Sequence, residues 1–333
     1  MSTLSIGLLG AGRIGKVHAT AIATTPNAEV VAVADAFPDP ANEVASEHGA
    51  VVRTIDEIMS ADDVDAVFIT TPTDLHADLI EQAARAGKAI FCEKPIDLSV
   101  QRVRECLAVV EKTGAALMVG FNRRFDPNFK AVRAQIDAGA IGEVEMVTIV
   151  SRDPGPPPLS YMERSGGLFR DMTIHDFDMA RFLLGEEPVS VTAVGSVLVD
   201  PAIASVPDVD SAAITLVTAS GKIAQISNSR RATYGYDQRI EVHGSTGLAR
   251  ADNLHESTVE VAGEHGFTRA PLMNFFIERY MPAYRDEVAT FVRGVLDGTP
   301  LAPTGEAGLR ALMLAEAAAR SHVERRTVDV SEI

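Results

Sequence analysis

Six residues near the start of the chain, Gly10-Ala11-Gly12-Arg13-Ile14-Gly15, constrain its fold more than any other feature. A G-x-G-x-x-G spacing is weak alone, because glycine is common. Here an unbroken apolar run, Leu4–Leu9, leads into it, and a helix-like stretch from Ile14 to Thr24 leads out, ending near Pro26-Asn27. A buried strand that turns directly into a helix needs a tight turn, which Gly10 supplies, and close helix–strand packing, which Gly15 permits. Gly12 bares the backbone, so that a diphosphate can approach the helix N-terminus, where free N–H groups and the helix dipole favour negative charge. About 20 positions on, Asp35 ends the next apolar run, Val30–Ala34, where a carboxylate can accept from ribose hydroxyls. Together these features predict a dinucleotide site. A carboxylate at 35 repels a 2′-phosphate, and Ala36-Phe37-Pro38 offers no arginine to hold one, so NAD is favoured over NADP. Arg13 and Ile14 complete the candidate turn; Arg13 reads equally well as a phosphate partner or a solvated surface side chain.

The alternation continues. Asp56–Ser60 suits a short helix, Ala66–Thr70 a strand, His76–Ala86 a helix closed by Gly87, Ala89–Cys92 a strand, Ser99–Thr113 a helix and Ala116–Val119 a strand. Short apolar runs without polar alternation, each followed by a helix, predict a parallel sheet covered on both faces, hence a doubly wound α/β domain over about residues 1–120. After Gly120 the pattern changes. A helix near 128–138 precedes a loosely alternating strand, Val144–Val150, and Pro154-Gly155-Pro156-Pro157-Pro158 forces an irregular loop. Gly167–Leu184 reads as one helix stopped by Gly185. The runs 189–199, 211–218, 223–229 and 238–243 read as longer strands of an antiparallel or mixed sheet with one open face. Two helices, about 281–296 and 305–321, finish a second, α+β domain spanning 121–333.

A length of 333 residues favours two such domains over one core. Thirty Lys and Arg stand against 46 Asp and Glu, a formal net charge of -16 that disfavours nucleic acid or anionic lipid as partner. Cys92 and Cys106 fit no zinc or redox motif, which suits a reducing compartment. The opening Met1-Ser2-Thr3-Leu4-Ser5 has no leader pattern and no apolar run approaches membrane-spanning length, so a cytoplasmic protein is expected.

Two further segments carry chemistry. In an open α/β sheet the ligand lies beyond the carboxyl ends of the strands. Glu93-Lys94-Pro95 follows a strand directly, so Lys94 is aimed at the cofactor crevice and can donate to a substrate oxygen; as a plain loop lysine it needs no such role. Glu93, with Thr71, Pro72 and His76 beyond the preceding strand, joins the candidate cofactor contacts. The second segment, Gly166 to Asp176, places Asp171 and His175 at i and i+4 on one expected helix face. A carboxylate beside an imidazole orients the ring and stabilises its protonated form, as a general base for alcohol oxidation requires. A capping aspartate with a packed histidine is the bland alternative. A zinc site from Asp171, His175 and Asp178 lacks an evident further strong ligand, and no metal is expected.

Taken together, the glycine fingerprint, the E-K-P segment and the D-x-x-x-H segment resemble the Gfo/Idh/MocA oxidoreductase family over nearly the whole length. Gly120–Asp126, Ser151–Pro154, Asp171–Asp178 and Tyr234–Arg239 narrow the resemblance to members that oxidise inositols. The resemblance implies an N-terminal Rossmann domain, a second domain on an open mixed sheet that also makes homotetramer contacts, and catalytic roles for Lys94, Asp171 and His175. It implies polyol contacts from Lys94, Asn122, Arg123, Arg152, Asp153, Asp171, His175 and Tyr236, with Tyr234 and Tyr236 not distinguished. The implied reaction is NAD-dependent oxidation of myo-inositol to its 2-ketone; another inositol isomer, a pyranose, or a non-catalytic NAD-binding sensor are the other readings.

Overall fold

The computed structural model describes residues 3–333; Met1 and Ser2, part of the stretch read above for a leader, lie outside the described residues. Two units divide the chain. One runs to Phe125 and takes up Met281–Leu312; the other comprises Asp126–Tyr280 and Met313–Ile333.

The first unit alternates β1 (Leu4–Leu9), α1 (Arg13–Ala23), β2 (Ala28–Ala34), α2 (Pro38–His48), β3 (Val51–Val52), α3 (Ile55–Ser60), β4 (Ala66–Ile69), α4 (His76–Arg85), β5 (Ala89–Glu93), α5 (Val100–Thr113) and β6 (Leu117–Gly120). The six strands form one parallel sheet in the order β3-β2-β1-β4-β5-β6, the doubly wound arrangement the apolar runs call for. β4 and β6 are buried at every position, because helices must cover both faces of such a sheet. Two elements escaped the sequence pattern. α2 opens on Pro38-Asp39-Pro40, a proline-rich string that suggests a loop, although proline is well suited to a helix's first turn. β3 is too short to show a period.

The second unit carries α6 (Pro127–Asp137), β7 (Val144–Arg152), α7 (Leu159–Ser165), α8 (Gly167–Asp171), α9 (Ile174–Leu184), β8 (Pro188–Ser196), β9 (Ser211–Thr218), β10 (Ile223–Ser229), β11 (Asp237–Gly244), β12 (Gly247–Ala251) and the hairpin β13 (Glu260–Gly263) and β14 (Gly266–Arg269). Then come α10 (Phe276–Asp297), α11 (Gly305–Glu324) and β15 (Val328–Asp329). A seven-stranded mixed sheet has the order β12-β11-β7-β10-β9-β8-β15, with only β7 and β10 parallel neighbours. Its strands alternate buried and exposed residues, as a sheet with one open face should.

Three expectations change. The proline cluster is irregular, but α7 follows it before the expected helix begins. That helix, 167–184, is two: α8 ends at Asp171 and α9 starts at Ile174. The break is made by Thr173, whose hydroxyl donates to Asn228 Oδ1 at 2.8 Å while its backbone N–H closes on Leu168 at 2.9 Å. The second domain is also not the continuous stretch 121–333. Met281–Leu312 belongs to the first unit because its side chains complete that unit's core. Phe291 meets Phe68 and Phe91 edge-on, and the backbone at Gly308 lies against Ile96 and Val119. Among the described residues, no helix is long and apolar enough to cross a membrane.

Candidate active site

At the carboxyl end of the first sheet, the glycine turn has the geometry its spacing demands. Gly10 has φ +99°, and a Cβ there would lie 2.6 Å from the Thr70 carbonyl. A Cβ on Gly15 would lie 2.1 Å from the Gly10 oxygen, so only glycine lets α1 approach the turn. A Cβ on Gly12, in contrast, would meet no atom of the described residues within 4 Å. That side of the turn is open. α1 begins at Gly12 with no side-chain cap and no acidic residue in its first turn, leaving its N-terminus to an anion. Asp35, directly after β2, accepts from Ala11 N at 2.6 Å and Phe37 N at 2.9 Å. A carboxylate has about four acceptor positions, so these two bonds orient it and leave capacity for ribose hydroxyls. Beyond β4, the Thr71 hydroxyl is buried and finds no partner among the described residues. An open glycine, an uncapped helix start and a waiting hydroxyl fit an anionic dinucleotide.

Two of the candidate cofactor contacts instead hold the loops. His76 is buried, with Nδ1 2.8 Å from the Pro95 carbonyl and Nε2 2.8 Å from the Thr71 carbonyl. Burial pushes its pKa below the usual value; the neutral ring has one N–H to donate, to the Pro95 or the Thr71 carbonyl, and lies between the loop after β4, which carries Thr71 and Pro72, and the loop after β5. Glu93 is buried too. Its carboxylate lies 2.7 Å from His18 Nε2 and accepts from the Lys94 N–H at 3.2 Å. Lys94 therefore stands on a backbone fixed from both sides, by Glu93 and by His76 through Pro95; the Lys94–Pro95 bond is cis. Arg13 is exposed and Ile14 half-buried on the rim of the turn. Asn122 and Arg123, in a 3-10 turn after β6, are buried, and the Asn122 side-chain oxygen meets no partner among the described residues.

The second unit gathers its candidates at one end of the mixed sheet. β7 ends at Arg152, paired in register with Ser229 of β10 and Asp237 of β11. Arg152 donates to the Tyr234 hydroxyl at 3.0 Å, which in turn donates to Asp237 at 2.7 Å. Tyr236 instead is buried edge-on to Tyr280. The ring linked to Arg152 is therefore Tyr234, one of the two that the sequence does not distinguish. Asp153 continues the strand end, its N–H donating to the Ser229 carbonyl at 3.0 Å.

The α8–α9 junction docks on the same end through Thr173 and Asn228, and Asn228 also donates to Asp176 at 2.8 Å. Asp171 closes α8 and His175 lies in the first turn of α9, so regular i, i+4 spacing does not set their relation. The Asp171 carboxylate accepts from the Tyr161 hydroxyl at 2.9 Å and lies 3.6 Å from the buried Arg230, which also faces Asp208 at 3.9 Å. A helical-wheel reading could not find Tyr161, Asn228 or Arg230, since each comes from another element. Asp178 is buried beside Arg181 at 3.5 Å, and among the described residues no three His, Cys, Asp or Glu side chains are grouped to hold a metal ion.

The chain has close relatives. Residues 4–121 match the family model described as oxidoreductase family, NAD-binding Rossmann fold, and residues 129–250 match that of the GFO/IDH/MocA C-terminal domain. Inositol 2-dehydrogenase of Rhizobium meliloti (strain 1021) is 62% identical over 329 residues, 99% of this chain and 100% of that protein. Among solved structures, a myo-inositol dehydrogenase from Corynebacterium glutamicum ATCC 13032 is similar with TM-score 0.95 at 45% identity, covering 98% of both chains. A scyllo-inositol dehydrogenase from Lactobacillus casei, solved with NAD(H) and scyllo-inositol, gives TM-score 0.93 at 31% identity, covering 99% of this chain and 100% of that one.

Proposed function

The chain belongs to the Gfo/Idh/MocA oxidoreductase family, and on that premise we propose that it oxidises myo-inositol at C2 to scyllo-inosose (2-keto-myo-inositol). Its first unit is an NAD-binding Rossmann domain. The observation that carries the substrate assignment is the 62% identity, over essentially the full length of both proteins, with an inositol 2-dehydrogenase. A polyol also demands hydrogen-bonding side chains rather than an apolar pocket, and Asn122, Arg123, Arg152, Asp153 and Tyr234 supply them.

When bound, NAD+ accepts the hydride. Gly10, Gly12, Gly15 and the start of α1 receive its diphosphate, Asp35 its adenosine ribose, and Thr71 adds a hydroxyl. His175 takes the proton of the reacting hydroxyl, and Asp171 stabilises the imidazolium that results. Lys94 donates to the same oxygen as charge develops on it. Tyr161 and Arg230 keep the Asp171 carboxylate oriented, so its charge is in place before the proton moves. Arg152 and Tyr234 orient the ring hydroxyls.

The decisive measurement is NADH formation across inositol isomers and hexoses. Myo-inositol gives the highest kcat/KM; no turnover with any inositol overturns the reading, and preference for scyllo-inositol moves the assignment to the other isomer. Lys94→Ala and His175→Ala each lower kcat by about 10²–10⁴-fold while NADH affinity stays within about threefold, about 0.6 kcal/mol. The reading includes a cytoplasmic place in myo-inositol catabolism and a homotetramer. Met146 and Val194, exposed on β7 and β8, suit burial between copies, which native mass checks.

A further inference from the structure

Neighbouring strands of the mixed sheet change character in one row. On β10 the buried side chains are Ala224, Ile226 and then Asn228; on β7 they are Val147, Ile149 and then Ser151. On β11, which runs against β7, Val242 and Ile240 give way to Gln238. The register sets Ser151 beside both Asn228 and Gln238, so the polar residues share one row, directly inside the row of Ser229, Arg152 and Asp237. Period-two alternation calls for aliphatic residues at these positions. A buried amide is costly unless its hydrogen bonds are made, so what Asn228 bonds accounts for its place.

Its amide is engaged on both sides. Oδ1 accepts from the Thr173 hydroxyl at 2.8 Å, and Nδ2 donates to Asp176 Oδ2 at 2.8 Å and to the Ser151 carbonyl at 3.3 Å. Thr173 and Asp176 enclose the first turn of α9, and His175 lies between them in the chain. Ser151 is the residue before Arg152. Thr173 is the N-cap residue of α9, and a threonine there usually turns its hydroxyl onto an N–H of the first turn. It makes no such bond; the hydroxyl goes to Asn228 instead. The four residues Ser151, Thr173, Asp176 and Asn228 are almost fully buried, so water does not compete for these contacts. Thr173 requires an acceptor, whereas Asp176 and the Ser151 carbonyl require donors, and a short amide supplies both. Ser151 in turn donates to Gln238 at 3.1 Å, which also accepts from the Tyr280 hydroxyl at 3.3 Å.

We propose that Asn228 is a positioning residue for His175: through Thr173 and Asp176 it fixes the first turn of α9 on the end of β7, so that the imidazole keeps one place relative to Arg152. The effect on turnover rests on the polyol oxidation proposed above; the placement of the imidazole does not.

Asn228→Leu removes all three bonds. Thr173→Val removes one hydroxyl and keeps the shape, whereas Thr173→Ser keeps the hydroxyl. Kinetics are measured on the full-length protein, with active sites counted by NADH titration. Asn228→Leu lowers kcat by about ten- to a hundredfold, while NADH affinity and the polyol KM stay within about threefold. Thr173→Val lowers kcat by about three- to tenfold, and Thr173→Ser returns it to within about twofold of wild type. The double variant Asn228→Leu/Thr173→Val loses no more than Asn228→Leu, because the two residues act through one bond. Wild-type kcat in Thr173→Val, no recovery in Thr173→Ser, or additive losses in the double variant overturns the proposal. So does a lower urea midpoint with kcat per site unchanged, which would leave Asn228 a role in stability alone. The two Thr173 variants decide the matter even if Asn228→Leu does not fold.

Proton–nitrogen correlation spectra of the histidine rings give a readout without substrate. The chain has eight histidines, and His175→Ala identifies the His175 signals. Thr173→Val shifts or broadens those signals and Thr173→Ser leaves them in place; unchanged signals in Thr173→Val overturn the proposal. If no polyol is oxidised but the signals move, the functional assignment fails and the positioning stands.

Discussion

His76, Glu287 and Cys92 in the first unit and Asp237, Asp210 and Arg279 in the second answer burial in opposite ways. In the first, burial pushes the His76 pKa down and the Glu287 and Cys92 pKa values up, so each group is held neutral. In the second, burial acts in the same sense on Asp237, Asp210 and Arg279, yet hydrogen bonds overcome it. Asp237 is held ionised by Arg239, Tyr234 and Asn253, Asp210 by the amides of Leu198, Val199 and Asp200, and Arg279 by Asp126. The difference follows from the sheets. Around Glu287 the parallel sheet and its helices set aromatic rings, with no hydrogen-bond donor on its carboxyl oxygens among the described residues. A mixed sheet whose strand ends gather Arg152, Arg230, Arg239 and Asn228 offers many donors. The first unit offers an anion an open glycine turn, an uncapped helix start and the Thr71 hydroxyl, and the second presents side chains suited to a polyol.

The sharpest way to break that comparison is to remove one member of a buried group in each unit. Arg279 bonds Asp126 inside the second unit, and both are almost fully buried. Arg279→Leu strands the carboxylate and costs about 3–5 kcal/mol, seen as a lower urea midpoint. Glu287→Gln in the first unit replaces one neutral group by another and changes stability by less than about 1 kcal/mol at pH 4.5 or below. Equal losses from the two substitutions would erase the distinction between the interiors.

Backbone recognition gives the next largest effect. Gly15→Ala drives a methyl into the Gly10 carbonyl and costs about 3 kcal/mol, together with NADH affinity. Gly12→Ala meets nothing in the protein, so it leaves the urea midpoint almost in place while NADH fluorescence titration shows weakened binding. If Gly12→Ala destabilised the protein as much as Gly15→Ala, the open side of the turn would not be a ligand surface.

This division also governs how much could be read beforehand. Gly10, Gly12, Gly15 and Asp35 lie within one strand–helix–strand stretch, and glycine reports directly where backbone must come close, so the spacing carried the geometry. The parallel order of the first sheet followed from apolar runs for the same local reason. Asp171 and His175 were visible as residues, but their setting was not. At the break between the two helices the Thr173 hydroxyl donates to Asn228, 55 positions away. Arg230 and Tyr161 reach Asp171 from other elements, and it is the exposed Tyr234 that bonds Arg152 while Tyr236 is buried against Tyr280, a choice that two tyrosines one residue apart do not reveal. Met281–Leu312 read as the end of the second domain, since sequence proximity does not show that Phe291 packs on Phe68. One long-range feature did leave a trace. Glu287 interrupts the apolar face Tyr284, Val288, Phe291, a signal that could have singled it out.

The smallest effect is a slope, and its sign separates the units most economically. A carboxyl whose folded pKa is raised, such as Glu287, gives stability that is complete below its usual value of 4.5 and is lost as pH rises toward the folded value, because the folded state binds the proton more tightly there. A carboxyl whose folded pKa is lowered, such as Asp237, gives stability that is complete above its usual value of 3.8 and is lost as pH falls. Urea midpoints of Glu287→Gln should therefore match wild type near pH 4 and rise above it progressively toward neutrality. Asp237→Asn should behave in the opposite sense, its deficit against wild type growing from acid toward pH 6 and then levelling. His76 makes its own demand on the first unit: held neutral, it costs stability as pH falls below its usual 6.5, because the unfolded chain takes up the proton first. A Glu287→Gln midpoint that tracks wild type at every pH would mean that Glu287 is ionised in the folded protein, and its buried carboxyl would then answer burial as Asp237 does.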